Sequence, residues 1–202
     1  MHTLHSYLVK LSPLFGDFDY IQSELKNNYT NFQDEVLQYV LDKTDHDTDL
    51  FDASNVYDWR ENGPGGWADQ YPPVLFGAID KHAFIEEFKY AINVPHRALI
   101  ENFAYLKEYI QTNSTSPYYC TDDNTVTIKL SEQFFEDFMR EDVNRTVLYK
   151  FKCIASILGQ EYSYLVPYYD LVNYTILTPE ETKQDVYANP ENYALVFIDC
   201  HF

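Results

Sequence analysis

The chain has 202 residues, with 14 Lys and Arg against 32 Asp and Glu, a formal charge of −18 and a pI near 4.5. Apolar residues make up 46% and aromatic residues 17%, including 19 Tyr and 14 Phe, which is enough to build a core and excludes a low-complexity chain. The charge argues against nucleic acid or an anionic membrane as a direct partner, because phosphate contacts require clustered Lys and Arg.

The N-terminal stretch HTLHSYLVKL (2–11) alternates weakly and ends in an apolar cluster, which predicts a strand closed by Ser12-Pro13. Phe18, Ile21 and Leu25 follow at helical spacing behind Asp17. Thr30 and Gln33 form a capping-box pattern, and Phe32, Val36, Tyr39, Val40 and Lys43 continue as a helix. From 42 to 80 the periodicity disappears, and Gly63-Pro64-Gly65-Gly66 and Pro72-Pro73 break the chain. Helical spacing returns over 81–111, interrupted at Pro95. NTVTIKL (124–130) alternates as a strand, and Ser131 opens a long helical segment running to Gly159, its predicted C′ residue. The Tyr- and Val-rich 161–177 reads as strands broken near Pro167. Thr178-Pro179-Glu180-Glu181 carries a cap, a first-turn proline and acids at the positive end of a helix dipole. Asn189-Pro190 ends that helix, and YALVFID (193–199) is a buried strand. These elements predict an α+β fold, with strands near both termini and amphipathic helices between them. With neither a repeat nor a linker visible, the expectation is a single domain over 1–202 with a long acidic, loop-rich segment at 42–80.

The negative charge is segregated. Residues 42–80 hold nine acids and two bases, and 161–202 hold seven acids and one base, whereas 81–112 balance at four of each. Spread evenly over a surface of about 10,000 Å², 18 charges fall about fivefold short of the charge density of B-DNA. DNA mimicry therefore needs the acids gathered on one face.

Enzyme and metal motifs are weak. An EF-hand loop opening at Asp45 would place Leu50 where glycine is needed and Val56 where the bidentate glutamate is needed. The six histidines (His2, His5, His46, His82, His96 and His201) show no His-x-x-x-His spacing. Cys200 and His201 are adjacent and diverge on a strand. The glycine cluster lacks the Gly-Lys-Ser/Thr end of a phosphate loop. Three dispersed cysteines fit a reducing compartment. The four Asn-x-Thr sequons at Asn28, Asn113, Asn144 and Asn173 read as by-products of composition, because no signal peptide is visible. No apolar run is long enough to cross a membrane, so a cytoplasmic protein is expected.

What remains is acid interleaved with aromatic residues. The expected partner-binding set is Asp45, Asp47, Asp49, Asp52, Tyr57, Asp58, Glu61, Asp69 and Tyr71, held down by Trp59 or Trp67, with no catalytic residue, metal or cofactor. The expected partner is a basic protein such as a nuclease or another nucleic-acid-binding effector. The chain would then be an inhibitor of the anti-CRISPR or anti-restriction type carried by phages and mobile elements. An immunity protein or antitoxin facing a basic toxin is the first alternative. An enzyme whose site is assembled from scattered residues is the second.

Overall fold

A computed structural model describes residues 2–45, 57, 59–113, 119–120, 126–127, 141–160, 162 and 166–201. The protein is α+β, and it divides into two compact units, residues 1–95 with 160–202, and residues 96–159.

The first unit is built on β1 (His2–Lys10) and β7 (Tyr193–His201), nine residues each, paired antiparallel from His2↔His201 to Lys10↔Tyr193. On the far side of β1 lies β6 (Tyr168–Asp170), parallel to it. On the far side of β7 lie two short antiparallel strands, β2 (Trp59–Arg60) opposite Cys200 and His201, and β3 (Val74–Phe76) opposite 194–196. All nine residues of β7 are buried, as a strand flanked on both sides should be.

Side chains alternate between the two faces of this sheet. One face carries Leu8, Tyr168, Tyr193, Leu195 and Phe197. It packs on Phe84, Phe88 and Ala91 of α3 (Lys81–Ile92) and on Val186 of α6 (Glu180–Ala188). The opposite face carries Tyr7, Val9, Val74, Phe76, Val196 and Ile198, all at most 1% exposed. Against Phe76 lie Phe32 and Tyr29 of α2 (Tyr29–Lys43), which follows α1 (Phe18–Asn27) after Asn28 alone.

The second unit contains α4 (Val94–Asn113, entering from Pro95), the short antiparallel pair β4 (Tyr119–Cys120) and β5 (Val126–Thr127), and α5 (Glu141–Leu158). Leu106, Val147 and Ile154 form its buried cluster, with Leu99 and Tyr109 packed against them.

Several local expectations shift by a residue or two. The second helix starts at Tyr29, and Asn28 ends one helix and begins the next, so the Thr30 box is not the cap. The last helix begins at Glu180, because the Thr178 hydroxyl lies 2.6 Å from that of Tyr168 inside the fold. After α5 the left-handed residue is Gln160 (φ 56) rather than Gly159. The final strand continues past 199 to His201. Segment 42–80 is less open than expected, since β3 is a strand with Val74 and Phe76 each 1% exposed. Of the strand expected at 124–130, Val126–Thr127 is described, and of the long helix expected from Ser131, residues 141–158. The remainder lies outside the described residues.

Gly77 marks a close approach. A Cβ there would lie inside 3.0 Å of the Pro190 carbonyl oxygen, while its N–H donates to Tyr193 O at 3.1 Å. Gly77→Ala should therefore force the 190–192 turn outward and cost about 1–3 kcal/mol in urea unfolding. A second test concerns His5, which is wholly buried with its Nδ1 against the Tyr162 hydroxyl. Burial holds its pKa down at about 3, below the ordinary 6.5. The unfolded chain thus takes up a proton near pH 6.5 that the folded chain refuses. Stability falls as pH drops through that window, and His5 alone should remove about 2 kcal/mol between pH 7 and pH 5. His5→Gln should flatten that part of the profile in urea titrations at the two pH values.

Candidate functional site

Two arrangements in the first unit concentrate charged or metal-ligating side chains. The first is acidic. Over 17–45 the helical hairpin α1–α2 carries Asp17, Asp19, Glu24, Asp34, Glu35, Asp42 and Asp45 against Lys26 and Lys43. All seven acids but the half-buried Glu24 are exposed. The buried stripe Phe32, Val36, Leu37, Val40 and Leu41 turns the other face of α2 inward, so its acids point outward by periodicity. Phe18, Tyr20 and Tyr29 are exposed on the same hairpin.

The second acidic segment, 161–202, behaves differently. Asp170 is fully buried and organises the turn after β6, accepting from Val172 N at 2.8 Å, Asn173 N at 3.1 Å and Asn173 Nδ2 at 2.9 Å. Burial raises its pKa against the pull of those donors. Asp185 is bonded by Lys10 Nζ at 2.8 Å and by the Tyr193 hydroxyl, which hold its pKa down at about 2. Asp199 is 1% exposed. Three of the seven acids here serve the fold.

The expected site residues separate into three groups. Asp45, Glu61 and Asp69 are exposed. Asp47, Asp49, Asp52 and Asp58 lie outside the described residues. Tyr57 and Tyr71 turn inward. Tyr71 is half-buried with its ring 5.0 Å from that of Phe197. Tyr57 is 2% exposed, and its hydroxyl donates to Thr44 O at 2.6 Å, so it is not an outward-facing anchor. Arg60 stacks over the Tyr57 ring at 5.2 Å and donates to Thr44 O at 2.8 Å and Leu41 O at 2.6 Å. Tyr57 and Arg60 together close the C-terminal end of α2, where free carbonyls and the helix dipole favour a cation. Trp59 is 52% exposed and lies flat against His201, with ring centroids 3.3 Å apart.

The second arrangement was hidden from the sequence. His2 of β1 and Asp199 and His201 of β7 share one face at the end of the sheet, and one ligand atom from each lies within 4.8 Å of the others. His2 Nδ1 is 3.1 Å from Asp199 Oδ2, and His201 Nε2 is 3.8 Å from it. The turn at 63–67 lies against the same carboxylate, with Gly66 N donating to Asp199 Oδ2 at 3.3 Å. Gly65 adopts a left-handed φ of 51°, and a Cβ there would sit 2.6 Å from that oxygen, so only glycine lets the turn come this close. An Asp-x-His at one chain end and a His at the other is a signal only once the two end strands are known to pair.

Cys200 faces away from His201, is fully buried, and has its pKa pushed up to about 12 by burial, which makes it a poor nucleophile. A cleft of about 220 Å³ lined by Lys10, Ser12, Tyr39, Tyr174 and apolar neighbours is smaller than ordinary ligand sites, and its one cation is committed to Asp185. Among the described residues, no helix is long and apolar enough to cross a membrane. No family model, curated protein or solved structure matches the chain.

The Arg60 contacts yield a quantitative expectation. Arg60→Ala should lower unfolding stability by about 1.5–3 kcal/mol, the range for hydrogen bonds from a charged donor. Tyr57→Phe, which removes one hydroxyl, should cost about 1 kcal/mol. Urea unfolding of both variants and of the double variant measures this, and strictly additive costs would separate the two residues from a shared role at the helix end.

Proposed function

We propose that the protein is a non-enzymatic acidic binding protein that covers a basic, nucleic-acid-handling surface of a partner protein, as an inhibitor of the anti-CRISPR or anti-restriction type would. The observation supporting this reading is the outward set on α1–α2, where six exposed acids and three exposed aromatic rings share one hairpin. Carboxylates pair with Arg and Lys in register, and Phe and Tyr supply contact area at low entropic cost. Four cations of the first unit outside the hairpin are engaged elsewhere. Lys10 pairs with Asp185, Lys89 with Glu86 and Lys183 with Glu180, while Arg60 serves backbone carbonyls. Asp45 is followed in the sequence by Asp47, Asp49, Asp52 and Asp58, which lie outside the described residues. A cytoplasmic location and a nuclease as partner follow from the same reading, and a basic toxin would be held by the same chemistry.

The test is capture from cell lysate at low and high salt, then association and dissociation kinetics against the recovered basic protein. Asp34→Lys, Glu35→Lys and Asp42→Lys together should slow association about tenfold or more and leave dissociation nearly unchanged, because exposed rim charges steer encounter. Tyr20→Ala should act on dissociation instead, costing about 2 kcal/mol if its ring is a hot spot. Binding that ignores both salt and the triple reversal would remove this hairpin as the recognition surface.

A further inference from the structure

The geometry points to a divalent transition-metal site at the paired chain ends, with His2, Asp199 and His201 as protein ligands and Zn²⁺ as the ion the donor set suits best. Two imidazoles and one carboxylate form a borderline set that favours zinc and its neighbours over calcium or magnesium, which take oxygen ligands. Ligand bonds of about 2.0–2.2 Å in tetrahedral geometry place donor atoms about 3.3–3.6 Å apart. The two donor-to-Asp199 separations are 3.1 and 3.8 Å, on either side of the ideal spacing, and the two imidazole donors lie within 4.8 Å of each other.

A second observation is independent of the spacing. Asp199 Oδ1 and His201 Nε2 are both buried, and neither has a hydrogen-bond partner among the described residues. The unmatched His201 ring nitrogen, on a side chain 9% exposed and 3.8 Å from Asp199 Oδ2, is costly to maintain, and a cation held by that carboxylate is an occupant that satisfies its lone pair. The surroundings suit a metal centre. Gly66 N–H holds the carboxylate in place from outside the ligand set, and Trp59 stacks on the His201 ring and fixes its plane. Glu61, whose Cγ lies within 3 Å of the same Cβ position at Gly65 as Asp199 Oδ2, adds negative charge nearby. His2, with 59% of its side chain exposed, is the entry side. Three protein ligands leave a fourth position for water or for a group from a partner.

The experiment uses the whole chain stripped of metal and titrated with Zn²⁺ in a calorimeter, followed by X-ray absorption at the zinc edge. The expected result is saturable binding that includes one equivalent at micromolar affinity or tighter, with two imidazoles in the coordination shell. His2→Ala should weaken that equivalent at least about tenfold, and its exposed side chain makes loss of fold a minor concern, checked by circular dichroism. Asp199→Asn should do the same, whereas His82→Ala on α3 should titrate as the unaltered chain does. The proposal is overturned if the unaltered chain takes up no such equivalent. It is also overturned if His2→Ala binds zinc with unchanged affinity and stoichiometry, or if His82→Ala is as damaging as His2→Ala.

Discussion

Nine residues at the start of the chain hydrogen-bond with nine at its end, and most of the first unit is arranged around that ladder. Strand β7 receives partners on both edges and side-chain layers on both faces, which is why none of its nine residues is exposed. Closing a loop of nearly the whole chain has an entropic cost that rises only slowly with length. The apolar contacts of Leu8, Leu195 and Phe197 with α3 and of Phe76 with α2 offset it. The register of this pair also decides chemistry. A slip by one residue would turn His2 away from His201, bury Lys10, and place Leu8 and Leu195 on different faces.

Charge in this protein has two uses that composition does not distinguish. Asp170, Asp185 and Asp199 are drawn into the fold because the backbone there offers N–H donors or a neighbouring Lys10. The acids within α2 occupy positions that the helix period turns outward, where solvation by water is the stable state. The same net charge is therefore structural in one segment and exposed to solvent in another.

The acidic hairpin and the His–Asp–His cluster lie on opposite sides of the sheet. Helix α2 covers the face of Phe76, whereas Asp199 and His201 share the face of Leu195 and Phe197. Arg60 and Trp59, neighbours on β2, divide between them: Arg60 holds the end of α2 and Trp59 lies on His201. One two-residue strand thus ties the helical hairpin to the ends of the chain.

Local pattern was enough to read most of the elements. Alternation at 2–11 and the apolar run at 193–199 announce strands. Asp17 before Phe18, Ile21 and Leu25 announces a helix, and its carboxylate does accept from Tyr20 N at 2.9 Å. The break at Pro95 separates α3 from α4 as its restricted backbone requires. The α+β class follows from these near-neighbour signals. Where the sequence misled, a distant contact outweighed a local preference: Thr178 bonds Tyr168 instead of capping, Tyr57 reaches Thr44 instead of solvent, and 74–76 becomes a strand because β7 offers it an edge. The metal-ligand cluster was invisible for the same reason at its extreme. His2 and Asp199 are 197 residues apart, and spacing along a chain carries no information about a pair that meets only through the sheet. Composition and periodicity determined how much charge there is and which helix faces carry it; only the tertiary pairing of the two end strands decided that Asp199 is buried and which imidazoles it meets.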